Sequence, residues 1–543
     1  MKIELPEIGP EERTPLVESL LAIIRVQQDR IQQLEVTVQE CRDEIALLKG
    51  QKPRPDIQPS RLEATRPKPV AAEGSKRPGS AKRPKTAELH IHHEVPLHPQ
   101  ELPPGAAFRG YEPYVVQELL IRNENTRYLR ARYDLPEGGS VLAPFPAGVL
   151  PVAGGHFGAN LIAYILDQYH QAQVTEPLLL QQLWEYGIAI SAGQLHRILT
   201  ENHERFHQEK GEVLLTGLRV SSYIGADDTG ARQQGKNGYC TAIGNDLFAS
   251  FESSVSKSRL NFLQVLQGSA RDYVINDLTV AYWQRQKLAA ALVAQLTQGP
   301  QEFVGELTWQ ARLAQLGITD ERHVRIATEG ALVGGLVARG VSPDLGVLSD
   351  GAGQFVLFVH ASCWVHAERP LAKLVPHNEQ HRGAIEKVRG QIWELYQALK
   401  AYRAQPEAAE RPVLEGRFDA LVAQRTGYPS IDGVLKDMAD HRADLLRVLE
   451  RPEIPLHNNA VESDIREFVK RRKISGGTRN DTGRRCRDTF ASLKKTCRKL
   501  GVRFWDYLQD RVRGLGLIPR LADLLRQKAR STTAPSGQAV PAS

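Results

Sequence analysis

The sequence predicts an α/β protein, and three observations carry that prediction. LRVSSYIGADDTG (218–230) reads as an apolar-alternating strand ending in acids, with KNGYCTAIGND and LFASFESSV as two more short strands after it. PDLGVLSDGAGQF is another buried strand ending at an acid, and QFVLFVHAS adds a further one. Elsewhere the period is helical: within 366–450, Ile385, Val388, Ile392, Leu395, Leu399 and Tyr402 mark one face. With 543 residues, 41% of them apolar, the chain can build two to four domains with real cores.

Composition excludes several classes. No run approaches the roughly 18 apolar residues of a membrane span. The N-terminus, MKIELPEIGPEERTP, lacks the charged-then-apolar order of a secretory signal. Five scattered cysteines (Cys41, Cys240, Cys363, Cys486, Cys497) argue for a reducing cytosol and against a disulfide framework. The net charge of +7 is unevenly spread. Residues 51–87 carry ten Lys/Arg against three Asp/Glu, and residues 464–503 carry fourteen against four. Two basic segments on an otherwise acidic chain point to a polyanion, most commonly nucleic acid.

The elements follow in order. Residues 16–49 read as a coiled coil, with Val17, Ile24, Ile31, Val38 and Ile45 at a and Leu20, Gln27, Leu34, Cys41 and Leu48 at d. β-Branched a positions with mostly Leu at d favour a parallel homodimer. Arg30 opposite Glu35 and Glu44 opposite Lys49 add attractive pairs, and Gln27 fixes register. Residues 50–107 form a basic, Pro-rich flexible linker. Within it His90, His92, His93 and His98 have a spacing that fits no standard zinc module. Residues 108–215 read as mostly helical after a short irregular start. Near 178–200, a helix ends at Gly187 and Ser191 caps a second one carrying Gln194, His196 and Arg197. That is the punctuation of a helix-turn-helix, with Gln194 and Arg197 placed to read a DNA groove. Residues 216–375 hold the strands, 376–450 a helical insertion, 451–528 a basic helical segment, and 529–543 a disordered tail.

Two strand ends and one helix carry the candidate acids. Asp227 ends the first strand and Asp350 a later one, separated by 123 residues; Glu462 follows 112 residues on, on a helix. Adjacent strands lie about 4.8 Å apart, so two strand-end acids can share a metal site. A third acid from a helix completes a cage for two divalent ions, and hard oxygen ligands suit Mg²⁺. Acids also end strands simply as turn residues, and that reading stays open from spacing alone. Asp228 is the alternative to Asp227, but successive strand residues face opposite ways. Arg466, one helical turn beyond Glu462, shares its face. With Lys470, Arg471, Arg472 and Lys473 it forms a cationic run suited to a DNA backbone.

GADDTGARQQGKNGYCTAIGN, LSDGAGQF, CWVHAERPLAKL and LHNNAVESDIREFVKRRKISGGTRNDTGRRCRDTFASLKKT resemble, in that order, four motifs of the insertion-sequence-66 family of transposases, a bacterial DDE group. The resemblance spans roughly residues 108–513. It implies a ribonuclease-H-like catalytic core with Asp227, Asp350 and Glu462 as the first, second and third catalytic acids and metal ligands. It also implies two Mg²⁺ ions, with Mn²⁺ able to substitute. Cys363 and His366 resemble a Cys-x-x-His element that braces the site in large DDE enzymes; packing beside Trp364 is the other reading. The family often carries a cysteine-rich zinc module after its coiled coil, and this chain lacks those cysteines. DNA (element ends and target) and small accessory proteins of the same element are the implied partners, in a cytoplasmic, nucleoid-bound setting. Two rival readings remain at the level of sequence: an inactive dimeric DNA-binding regulator, and a ribonuclease-H-fold nuclease.

Overall fold

A computed structural model describes residues 14–24, several positions between 26 and 37, and residues 90–146 and 156–533. Residues 15–24 are helical (α1), with Leu20 and Ile24 exposed. Most of the heptad repeat, the linker up to residue 89 and residues 534–543 lie outside the described residues. Next come a small hairpin, β1 (Arg132–Asp134) and β2 (Ser140–Leu142), and helices α2 (Ala159–His170), α3 (Glu176–Glu185), α4 (Ala192–Thr200) and α5 (Glu204–Val220). Strands β3 (Tyr223–Gln233), β4 (Lys236–Gly244) and β5 (Ala249–Ser254) lead into α6 (Arg259–Gln267), β6 (Asp272–Val274), α7 (Asp277–Arg285), α8 (Ala290–Leu296), β7 (Glu302–Val304), α9 (Glu306–Gln315) and α10 (Glu321–Ala338). After β8 (Gly346–Ser349) and β9 (Val359–Ser362) the chain is helical: α11 (Trp364–Lys373), α12 (Glu379–Ala404), α13 (Glu410–Val422), α14 (Pro429–Asp440), α15 (Arg442–Leu445), α16 (Asn459–Ser475), α17 (Asp481–Leu500), α18 (Phe504–Arg513) and α19 (Leu521–Thr533).

Several boundaries differ from the sequence expectation. The irregular start of 108–215 is long: among the described residues the first helix there begins only at Ala159. Pro and Gly punctuate both ends of the segment, at Pro113 and at Pro136, Gly138 and Gly139, and the structure offers no physical reason why the Gly- and Pro-free stretch 114–131 between them is not helical. Leu218–Val220 close α5 and are not part of the first strand, because Val213, Leu214 and Leu218 form a buried helical stripe. Within 216–375 the short strands β6 and β7 alternate with helices α6 to α10. Helix α19 runs into the stretch expected to be a tail.

The main sheet has five strands in the order β5-β4-β3-β8-β9. β3, β4 and β5 are joined antiparallel, whereas β8 and β9 run parallel to β3. β3 pairs with β4 from Gly225 to Gln233, through a tight turn at Gln234 and Gly235, both at positive φ. Its two faces have different partners. Ile224, Ala226, Ile243 and Val347 join a large core with α5, α6 and α10. Ala231, Cys240, Ala242 and Phe251 pack instead against Val461, Ile465 and Phe468 of α16. Burying each of those three side chains stabilises the docking by about 1.5–3 kcal/mol.

Helix α17 covers the free edge of β5. Asp488, Ser492 and Thr496, four residues apart on one stripe, accept from the backbone N–H groups of Ser253 (2.9 Å), Phe251 (2.9 Å) and Ala249 (3.2 Å). The edge is thus satisfied by side chains rather than left open to another strand. The helices from α11 to α15 form a separate core around Trp364, Tyr396 and Phe418. All six residues of the sequence-predicted face, Ile385 to Tyr402, are buried in it.

Candidate active site

Asp227 lies in the middle of β3, not at its end, paired across from Ala242. Ala242 faces α16, so Asp227 does too. Asp350 is the first residue beyond β8. The β3–β8 pairing ends at Gly225 beside Leu348, two residues short of Asp227 and of Asp350, and the Asp350 charge acts on Asp227. Leu348 packs with Ile454 and Cys363 on that same side of the sheet. Both acids therefore face the segment that leads into α16.

Helix α16 is tied to β3 at both ends. At its start the Asn458 amide donates to the Ala226 carbonyl (2.9 Å). This approach needs Gly225: a Cβ there would meet Asn458 Oδ1 at 2.2 Å and Val461 Cγ2 at 2.7 Å. Beyond its end, Thr478 exchanges backbone bonds with Gln234 (2.8 Å) and Arg232 (2.9 Å). Glu462, in the first turn, is thereby held over the strand that carries Asp227, where the helix N-terminus favours a negative charge. It is 9% exposed. His366 Nδ1 lies 3.6 Å from Glu462 Oε1, while Arg466 and Arg369 approach Oε2 at 3.7 and 4.0 Å. Neither His366 Nδ1 nor Glu462 Oε1 has a hydrogen-bond partner.

Burial raises the Asp227 carboxyl to about 6, and repulsion from Asp350, Glu462 and Asp228 adds to it. The charges of Asp350 and Glu462 thus reach Asp227, as the sequence reading expects of the three acids. The folded chain binds the Asp227 proton more tightly than the unfolded chain does. Its favourable contribution is complete below the ordinary carboxyl value of 3.8 and is lost as pH rises through about 6. Asp227→Asn is accordingly expected to raise the thermal midpoint of the metal-free protein at pH 8 and not at pH 4. Calorimetry at the two pH values checks this, and equal midpoints at pH 8 would sink the electrostatic account.

Asp228 points to the other face. Thr241 donates to it at 2.5 Å and Gln354 at 3.1 Å, while burial raises its carboxyl. Cys363 caps α11 and His366 stands one turn on; burial pushes the thiol up to about 11 and lowers the imidazole, with Arg369 adding to the latter. Trp364 packs in the insertion core and donates to the Leu445 carbonyl (2.8 Å), while His366 lies beside Glu462. Sequence reading missed a buried chain beside Asp350. Ser349 Oγ lies 2.9 Å from His360 Nε2, and His360 Nδ1 lies 2.8 Å from Asp444 of α15. Ser349 Oγ also accepts from the Gly351 N–H (3.2 Å), so the insertion is wired to the loop bearing Asp350. A lone serine, a histidine in a strand and an acid 84 residues later give no local signal.

The cationic run divides. Arg466, Lys470 and Lys473 are exposed. Arg471 lies over the Tyr169 ring, 4.1 Å from its centroid, and Arg472 donates to the Gly230 carbonyl, so these two turn back onto the protein. Lys494, Lys495 and Lys499 of α17 are likewise paired internally, with Asp464 and Glu467 of α16. Helices α3 and α4 flank a turn at Gly187, as expected. Gln194 closes a capping box with Ser191, its Oε1 accepting from the Ser191 N–H (3.0 Å). That occupies the carbonyl end of Gln194 and leaves Arg197 as the exposed candidate on α4.

Among the described residues no helix is long and apolar enough to cross a membrane. A family model described as "Transposase IS66 family" matches residues 354–485, the stretch running from the Asp350 loop through α16. A protein of Sinorhizobium fredii (strain NBRC 101917 / NGR234), "Uncharacterized protein y4jO", is 42% identical over 324 residues. The match covers 58% of this chain and 100% of the relative.

Proposed function

Because the chain belongs to the IS66 family of transposases, we propose that it cleaves DNA at the ends of its insertion sequence and joins the freed 3′-hydroxyls to target DNA. Asp227, Asp350 and Glu462 are the acid triad of a ribonuclease-H-like core in this reading. One observation carries it: Asp227 lies on the sheet face over which α16 holds Glu462, and the charges of both Asp350 and Glu462 act on it. The strand order, two antiparallel joins followed by two parallel ones, supports the fold assignment.

The donor chemistry suits a hard divalent cation, because Asp350 and Glu462 both act on the Asp227 charge and all three offer carboxylate oxygen. Mg²⁺, or Mn²⁺ in its place, would supply Lewis-acid stabilisation of the phosphodiester and of its leaving oxygen when held by these three acids. The protein's own part is positional. Asn458 and Gly225 fix the approach of α16, His366 and Arg369 flank the Glu462 carboxylate, and the Ser349–His360–Asp444 chain steadies the Asp350 loop. Arg466, Lys470 and Lys473 lie on the exposed side of α16, where a DNA backbone running past Glu462 would meet them. Arg197 of the helix-turn-helix is the base-reading candidate, and the coiled coil is the dimer contact. Element-encoded accessory proteins and a cytoplasmic, nucleoid-bound location complete the reading.

Lys470→Ala is expected to weaken end-DNA binding and to reduce the slope of log affinity against log salt by about one unit. Arg471→Ala is expected to leave that slope unchanged and to lower stability by about 1 kcal/mol through loss of the Tyr169 contact. A salt titration of both variants separates the two roles; equal slopes for wild type and Lys470→Ala would remove Lys470 from the interface.

The function itself is tested by incubating the full chain with end DNA, a second duplex and Mg²⁺. Transposase activity gives cleaved ends with 3′-hydroxyls and joined products. A regulator gives binding without cleavage, and a nuclease gives cleavage without joining.

A further inference from the structure

Beside the carboxylate cluster stands a group of different chemistry. Cys363, His366 and Glu462 each offer a ligand atom, and the three atoms lie within 4.8 Å of one another. Cys363 is the N-cap of α11 and His366 lies three residues on, so both face α16 from a single helical turn. The His366 Nδ1 to Glu462 Oε1 separation of 3.6 Å is too long for a hydrogen bond. It matches the spacing of two ligands on one tetrahedral zinc ion, roughly 3.3–3.7 Å for metal–ligand bonds of about 2.0–2.3 Å. Both atoms are buried and unpartnered. A buried imidazole nitrogen and a buried carboxylate oxygen left without partners are costly unless something completes them.

We propose that Cys363, His366 and Glu462 form a soft-metal site that takes Zn²⁺ or a similar borderline ion, and that occupation withdraws Glu462 from the acid triad. The consequence for activity rests on the proposed function; the binding does not. Thiolate and imidazole select zinc over magnesium, whereas the side of Glu462 that faces Asp227 and Asp350 offers oxygen alone. Glu462 is the one residue common to both donor sets, so it cannot serve a zinc ion and a magnesium ion with full charge at once. A bound zinc ion keeps the Cys363 sulfur as thiolate by its own field. The three protein ligands leave a fourth position open. The site therefore makes the protein a sensor of free zinc, switched off when the ion is available.

The test uses the full-length protein, freed of metal by chelator, and Co²⁺ as probe. One equivalent of Co²⁺ is expected to bind with thiolate-to-cobalt charge-transfer absorption, which Zn²⁺ then abolishes by displacement. Cys363→Ser should lose the absorption, and His366→Asn, in case the serine variant fails to fold, should weaken Co²⁺ binding by at least about tenfold. Zn²⁺ at one equivalent should stop Mg²⁺-dependent end-DNA cleavage, and chelation followed by Mg²⁺ should restore it. Within the His366→Asn variant, half-inhibition should need at least about tenfold more Zn²⁺ than in wild type. A folded wild-type protein without thiolate–cobalt absorption overturns the site. So does absorption that survives in folded Cys363→Ser. Tight Zn²⁺ binding with undiminished cleavage overturns the switch. Absence of cleavage in every zinc-free sample would count against the proposed function and leave the spectroscopic result standing.

Discussion

Glu462→Gln is expected to abolish strand cleavage and joining, by about 10³-fold or more, while affinity for end DNA holds or rises slightly. Losing one charged ligand from a metal cage removes several kcal/mol of transition-state stabilisation, and each 1.36 kcal/mol is tenfold in rate. Glutamine keeps the size and helix propensity of the residue it replaces, so α16 stays docked through Asn458. Affinity holds because the cations toward DNA, Arg466, Lys470 and Lys473, are untouched and one repulsive charge is gone. If Glu462 were only the partner of Arg466 and His366, the change would act on stability and leave cleavage by the folded variant near wild type. Single-turnover cleavage of end DNA separates these outcomes: robust Mg²⁺-dependent cleavage by the glutamine variant would defeat the triad assignment.

Gly225→Ala is expected to cut cleavage by about 10²-fold from a position that touches no substrate. The added methyl would stand 2.2 Å from Asn458 Oδ1 and 2.7 Å from Val461. Overpacking of this kind costs about 1–3 kcal/mol, and breaking the Asn458–Ala226 bond adds about 1 kcal/mol. The strain is relieved by α16 moving off β3, which carries Glu462 away from Asp227. A misplacement of about 1 Å at a reacting centre costs on the order of 10²-fold. Gly416→Ala is the control: its methyl meets nothing within 4 Å, and alanine favours the interior of α13. Thermal melting and cleavage are read for both variants. Full activity in Gly225→Ala would show that the close approach of helix and strand does not set the position of Glu462.

The legible parts of this molecule are those governed by local periodicity. The face from Ile385 to Tyr402 is visible in sequence because a buried helix needs apolar residues every three or four positions, whatever its partner. The capped second helix after Gly187 was legible for the same reason: Ser191 and Gln194 cap it within three residues. Asp227 and Asp350 stood out as acids in apolar strands, although β3 runs on past Asp227. Alternation cannot tell a strand that ends in a ligand from one that carries it midway. Leu218–Val220 misled because the last turn of an amphipathic helix and the first residues of a strand share the same apolar letters. The cations of α16 and α17 misled because sequence gives their charge but not their partners. Lys494, Lys495 and Lys499 face Asp464 and Glu467 across a helix pair. The stripe of Asp488, Ser492 and Thr496 on β5 was out of reach, since its partners are backbone groups more than 230 residues earlier. For the same reason, the closeness of Cys363, His366 and Glu462 emerges only in three dimensions.

Anomalous scattering from Mn²⁺ in crystals of the full chain bound to end DNA locates the metal directly. Manganese is expected between the carboxylates of Asp227, Asp350 and Glu462, as a pair roughly 3.5–4 Å apart when the DNA is in place. Manganese bound elsewhere, with the three carboxylates vacant in crystals that cleave DNA once Mg²⁺ is added, would contradict the triad assignment.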